Sequence, residues 1–217
     1  SKCDTAAAKF QSEETGLVDG VGTEADILAQ IRALVGMLPA NNEDEAYTEC
    51  TDNLNRACPD LANCAGDTGI LLSQISDNGV VFETKKNYAK DMVTAFIRLN
   101  GATVGAVANR SEIYGTDGTL EETFDGTLSA KGAKKAAAFV KFCDAFGIPV
   151  LTITNVKGFK ATKCSEKFMA QNVAELTYAF ADATVPKVNV VVGQAYGSAY
   201  LAMNSKSIGA DMVFAWP

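Results

Sequence analysis

Two strand-forming runs, VTAFIRL and ATVGAVA, stand on either side of Asn100-Gly101, and this pairing constrains the fold more than any other stretch. A two-residue loop with positive φ at both positions matches the right-handed twist of its flanking strands, and Asn-Gly fills it at the least steric cost. An antiparallel hairpin is therefore predicted over residues 93–108. After it, Ser129 is positioned to cap a helix running to about Phe146, with Ala133, Ala136, Ala137, Val140, Cys143 and Phe146 three and four residues apart. Gly147 and Pro149 end that helix before the strand IPVLTITNV. A second long helix, about Glu166 to Asp182, leads to the β-branched run KVNVVV at 187–192, and DMVFAW at 211–216 reads as a further strand. Two continuously apolar strands separated by a helix predict a parallel pair buried on both faces, which makes the chain α/β.

Upstream, EADILAQIRALVGML at 24–38 is an amphipathic helix with Thr23 as its cap and Pro39 as its stop. The acidic, Asn-rich stretch after it has no period for nearly thirty residues and reads as a linker. A folded core is expected from about Asp67, with a short helix in GDTGILLSQISD and a strand in VVFET. Residues 109–128, rich in Gly, Thr and Asp, read as a loop.

The chain has no histidine, which removes a Ser-His-Asp triad, a Cys-His dyad and a histidine general base. A net charge of −7 argues against nucleic acid, whose affinity is carried by lysine and arginine on phosphates. Two local clusters, Lys85, Lys86 and Lys90, and Lys131, Lys134 and Lys135, fit either coenzyme phosphates or a solvated helix face. No run reaches the roughly 20 apolar residues of a membrane span, and no leader pattern opens the chain, so a cytoplasmic protein is expected. The six cysteines form no CxxC pair; reduced thiols and no metal are expected, with a clip among Cys50, Cys58 and Cys64 as the alternative.

Chemistry then has to rest on other acids and bases, on a cofactor or on backbone dipoles. Two glycine-bearing turns follow the two buried strands: Gly158-Phe159, and Gly197-Ser198-Ala199 after Tyr196. Ligands of open α/β sheets collect at such carboxyl ends, and adjacent N–H groups aimed at one point stabilise an anionic oxygen without a titratable side chain. The alternative is that Gly197, Ser198 and Ala199 are small because a helix packs tightly on the sheet, and pattern alone favours it. Neither turn is a dinucleotide fingerprint, a P-loop or a nucleophile elbow.

The segments RLNGATVGAVANR, AKKAAAFVKFCDAFGIPVLTITNVKGF and TYAFADATVPKVNVVVGQAYGSAYLAMNSKSIGADMVFAWP resemble the carboxyltransferase subunits of biotin-dependent acyl-CoA carboxylases and decarboxylases. The resemblance covers residues 79–217, and more weakly 17–42. It implies a ClpP/crotonase-like spiral of ββα units preceded by a helical segment and a long loop. Residues 1–42 would be the end of an N-terminal carboxyltransferase domain, 43–66 a linker and 67–217 part of the C-terminal domain. It further implies carboxyl transfer between carboxybiotin, on a biotin carboxyl carrier protein, and an acyl-CoA, with the cofactor as base. Ser198 and Ala199 match the amide pair facing the biotin ureido oxygen, Gly158, Phe159, Tyr196 and Gly197 line the cofactor, and Leu201 lies in the acyl pocket. The other expected partners are an N-terminal carboxyltransferase half and further copies of the chain. An isolated fragment or split subunit of this kind lacks a complete acyl-CoA site and is expected to transfer negligibly.

The chain departs from that family's pattern at several places. An Asp-Val-Pro-Gly-Phe stretch is replaced by Asn155-Val156-Lys157-Gly158-Phe159, a histidine by Asn172, and a Gly-Gly pair by Gly197-Ser198. These changes keep open a second reading, a non-catalytic oligomerising paralogue of the same fold.

Overall fold

The computed structural model describes residues 4–217. A short turn, α1 (Ala8–Phe10), runs into a π-helical turn and then to α2 (Glu24–Val35). Thr23 accepts from the N–H of Asp26 while the Asp26 carboxylate accepts from that of Thr23, a reciprocal capping box. The helix ends at Val35 rather than Leu38, because the N–H groups of Gly36, Met37 and Leu38 close tight bonds on Arg32 and Leu34. The long segment after it lies along the hairpin end: Thr48 N–H donates to Gly101 O, and Thr103 N–H to Ala46 O.

Asp67 caps α3 (Thr68–Ile75), and β1 (Val81–Thr84), β2 (Met92–Leu99) and β3 (Ala102–Asn109) follow as an antiparallel meander. Asn100 and Gly101 have φ of 52° and 82°, the type I′ pattern expected of the sequence. The stretch read as loop, 109–128, contains a hairpin, β4 (Glu112–Tyr114) paired with β5 (Leu120–Thr123). Its strands are short and mostly exposed, so they carry no apolar alternation to read; Asp67 Oδ2 anchors them by accepting from Tyr114 N–H.

Ser129 then caps α4 (Ala130–Ala145), followed by β6 (Val150–Val156), α5 (Lys163–Asp182), β7 (Lys187–Ala195), α6 (Gly197–Ala202) and β8 (Met212–Ala215). Helix α5 starts three residues before Glu166 because the Thr162 hydroxyl accepts from Ser165 N–H. The main sheet has the order β1-β2-β3-β6-β7-β8, parallel from β3 onward.

Alternation along β2 sends Met92 and Phe96 to one face and Val93, Ala95 and Ile97 to the other. The first face packs under α4, α5 and α6, where Ala133, Ala136 and Ala137 allow close approach; the second packs under α3 through Leu71 and Leu72. This double burial is why the strands read as unbroken apolar runs. It also sets the carboxyl ends of β6 and β7 side by side, with Val156 opposite Ala195.

Candidate functional site

Beyond Val156 the chain leaves β6 in a braced loop. Lys157 N–H donates to Gly126 O (3.0 Å), Leu128 N–H to Gly158 O (2.8 Å) and Lys160 N–H to Leu128 O (3.0 Å), so Leu128 and Phe159 form a parallel bridge. In such a bridge the N–H of Phe159 itself points away from Leu128. Val156 O faces β7, accepting from Tyr196 N–H at 3.1 Å, and the next residue, Lys157, faces Gly126 on the opposite side. The Phe159 N–H is therefore turned to the β7 side. The brace includes a bond from an N–H at position 157, where the family pattern has proline and no donor.

After β7 the extended Tyr196 turns the chain into α6. The first N–H groups of a helix have no intrahelical acceptor; here the first intrahelical bond is Tyr200 N–H to Tyr196 O, at 3.4 Å. That leaves the amides of Gly197, Ser198 and Ala199 directed out of the helix start, adjacent to the Gly158-Phe159 loop. Gly158 (φ 146°) and Gly197 (φ 61°) adopt backbone conformations that favour glycine, and a Cβ on either would meet nothing within 4 Å. A side chain at either glycine would therefore project into open space. The tight-packing explanation holds for the side chain of Ala199, buried in the core, and not for Gly197 or Ser198, which are exposed.

Around this pair of turns, Tyr196 and Leu201 are exposed and Phe159 packs partly on the core. The sheet beneath is polar. Thr152 and Thr154 on β6 and Asn189 on β7 are fully buried; Thr154 Oγ1 donates to Asn189 Oδ1 (2.7 Å), and Asn204 Nδ2, just beyond α6, donates to Thr152 Oγ1 (3.1 Å). At the strand ends Asn155 N–H donates to Asn109 Oδ1 (3.1 Å), while Asn155 Oδ1 accepts from Gln194 N–H (2.8 Å). Apart from Asn155, sequence reasoning missed these side chains, since isolated Asn and Thr in strands carry no spacing signal.

Of the lysine clusters, Lys86, Lys131 and Lys134 are exposed, as the solvated reading has it, and Lys135 is not. Lys85 pairs with Asp19, Lys90 with Glu122 and Lys131 with Glu14. Lys135 lies inside, donating to the carbonyls of Tyr88 (2.8 Å) and Met92 (2.7 Å), and its burial lowers the ammonium pKa to about 7. Lys135 is therefore neither solvated nor open to a phosphate. Cys50, Cys58, Cys64, Cys143 and Cys164 are free thiols, and Cys3 falls outside the described residues. Among the described residues no cluster of three or more His, Cys, Asp or Glu side chains is placed to hold a metal, and no helix is long and apolar enough to cross a membrane.

The α/β sheet thus ends in two glycine-bearing backbone turns, in a chain with no histidine. Residues 4–217 match the carboxyl transferase domain, and the chain belongs to that family. It is 36% identical over 203 residues to the methylmalonyl-CoA decarboxylase subunit alpha of Veillonella parvula, covering 89% of this chain and 38% of that protein. With the propionyl-CoA carboxylase beta chain of Roseobacter denitrificans it shares 37% over 203 residues, again 89% of this chain and 38% of the relative. The chain thus spans about two fifths of the length of these curated relatives. Among solved structures it matches the transcarboxylase 12S hexamer with hydrolysed methylmalonyl-coenzyme A bound, at a TM-score of 0.87 and 33% identity over 99% of this chain and 42% of the other. The expected crotonase-like α/β fold is the one found.

Proposed function

We propose that this chain is the biotin-facing part of an acyl-CoA carboxyltransferase, acting through the amides of Phe159, Ser198 and Ala199. One observation carries the reading: the turns after β6 and β7 leave paired strand ends, each leaves N–H groups outside its own hydrogen bonding, and neither glycine has a neighbour within 4 Å of its Cβ position. Such a cradle suits a planar ureido group, whose oxygen gathers negative charge when the carboxyl group departs. Biotin, when bound, supplies the carboxyl group and the basic atom; the chain's residues orient it and stabilise charge on its oxygen. The Ser198 and Ala199 amides take the role expected of them, and Phe159 adds a donor from the facing loop. Leu201, exposed on α6, and Tyr196 border the cradle as acyl-side and cofactor-side walls.

The similarity to proteins named for methylmalonyl-CoA and propionyl-CoA supports an acyl-CoA as the second substrate. A biotin carrier protein, an N-terminal carboxyltransferase half and further copies of the chain complete the machinery. In this arrangement residues 1–42 are the end of the preceding domain, 43–66 the linker and 67–217 part of the C-terminal domain.

Titration of the ¹⁵N-labelled chain with biocytin tests the reading: amide shifts are expected at Phe159, Ser198 and Ala199. Shifts confined elsewhere, or none at millimolar ligand, would favour the non-catalytic paralogue. In the assembled enzyme, Ser198→Pro removes one donor at a first-turn position that tolerates proline, and carboxyl transfer should fall about 100-fold.

A further inference from the structure

We infer that Asn155 is a positioning residue that sets the spacing between the two turns, an inference that rests on the function proposed above. Its backbone N–H donates to Asn109 Oδ1 on β3, and its side-chain Oδ1 accepts from Gln194 N–H on β7. One residue thus ties the carboxyl ends of three neighbouring strands, one residue before Val156, whose carbonyl receives Tyr196 N–H, and four before Phe159. The tie falls where regular pairing fails: the β6–β7 register shifts between Thr154 and Val156. An irregularity there leaves β7 without its normal ladder partner, and the Asn155 amide oxygen replaces that partner for Gln194.

The fit is specific. A Cβ on Gly193 would lie 2.6 Å from Asn155 Oδ1, so the side chain folds flat over β7 only because residue 193 is glycine. Asn109 is held in turn, its carbonyl accepting from the buried Thr68 hydroxyl at 2.9 Å. The staple therefore continues into α3 on the far face of the sheet. An aspartate, the residue of the family pattern at this position, offers the same acceptor oxygen; the exchange to Asn155 keeps the tie and removes a negative charge from the edge of a site meant to stabilise one.

The test compares Asn155→Asp, which keeps the acceptor, with Asn155→Leu, which keeps the branched shape and loses it, and with Gly193→Ala, which forces the Asn155 amide off β7. Backbone order parameters at Phe159, Ser198 and Ala199 are read by ¹⁵N relaxation, and biocytin affinity by titration. Rigid values of about 0.85 are expected in the parent and in Asn155→Asp, falling below about 0.7 in the other two. Biocytin binding should weaken at least tenfold in Asn155→Leu and Gly193→Ala and stay within threefold in Asn155→Asp. A merely structural role would lower the melting temperature and leave these turn-specific values unchanged, which overturns the inference. If Asn155→Leu does not fold, Gly193→Ala carries the same comparison. Absence of biocytin binding in the parent defeats the proposed function, while the order parameters still decide whether Asn155 holds the turns.

Discussion

Helices α2 and α4 carry the same kind of pattern, apolar residues three and four apart behind a capping hydroxyl, yet α4 buries nine of its sixteen residues and α2 none. What differs is the surface opposite. Helix α4 lies between the sheet and α5, whereas Ile27, Ile31 and Leu34 of α2 look onto a cleft of about 350 Å³ shared with Phe82, Phe96 and Phe139. Periodicity identifies the apolar face of a helix; it says nothing of whether that face is covered.

The largest expected effect sits in α4. Phe139→Ala removes a buried ring whose centroid lies 5.0 Å from that of Phe96, and should cost about 3–5 kcal/mol in urea unfolding. A loss under about 1 kcal/mol would erase the contrast with α2. Lys135 gives the next effect, through pH. Its folded pKa is depressed to about 7 by burial, so between pH 7 and the usual lysine value the unfolded chain holds a proton the native chain has shed. Stability relative to Lys135→Met should therefore rise with pH across that window, by at most about 1.4 kcal/mol per unit, and be flat below it; a fall with rising pH contradicts the assignment. The two caps sharpen the contrast further. Ser129→Ala should lower global stability by about 1 kcal/mol, while Thr23→Ala, at the head of an uncovered helix, should lower it by less than about 0.5 kcal/mol despite the same lost bond. Smallest of all is Ile31→Ser on the open face of α2, expected within about 0.5 kcal/mol of the parent by thermal unfolding.

Much of the fold was legible because the responsible residues repeat at the period of their element. The hairpin at Asn100-Gly101, the Ser129 cap and the β6-α5-β7 crossover each combine a turn signal with an apolar run, and each lies where the pattern puts it. The β4–β5 hairpin escaped because it is exposed and short, held by the Asp67 carboxylate rather than by packing. At the site, the glycines of the two turns stood out, but their bracing did not. Bonds such as Lys157 N–H to Gly126 O are made by the main chain and leave no mark in residue identity. Asn155 was legible only as a departure from a family pattern, and its role emerges once Gln194 and Gly193 are seen beside it. Lys135 was misread for a related reason: a lysine on an alanine-rich helix looks solvated until the carbonyls of Tyr88 and Met92 are found at its tip.

The hairpin turn has a consequence for how this chain ages. Asn-Gly is the dipeptide most prone to deamidate, because the unhindered glycine nitrogen attacks the asparagine side-chain carbonyl and closes a succinimide ring. In this turn the Gly101 nitrogen donates at 2.7 Å to Asp77, a buried carboxylate that also accepts from Asn100 N–H at 3.0 Å. The attacking atom is held facing a carboxylate, so chemical decay at this otherwise vulnerable bond is slowed for as long as the hairpin stays folded.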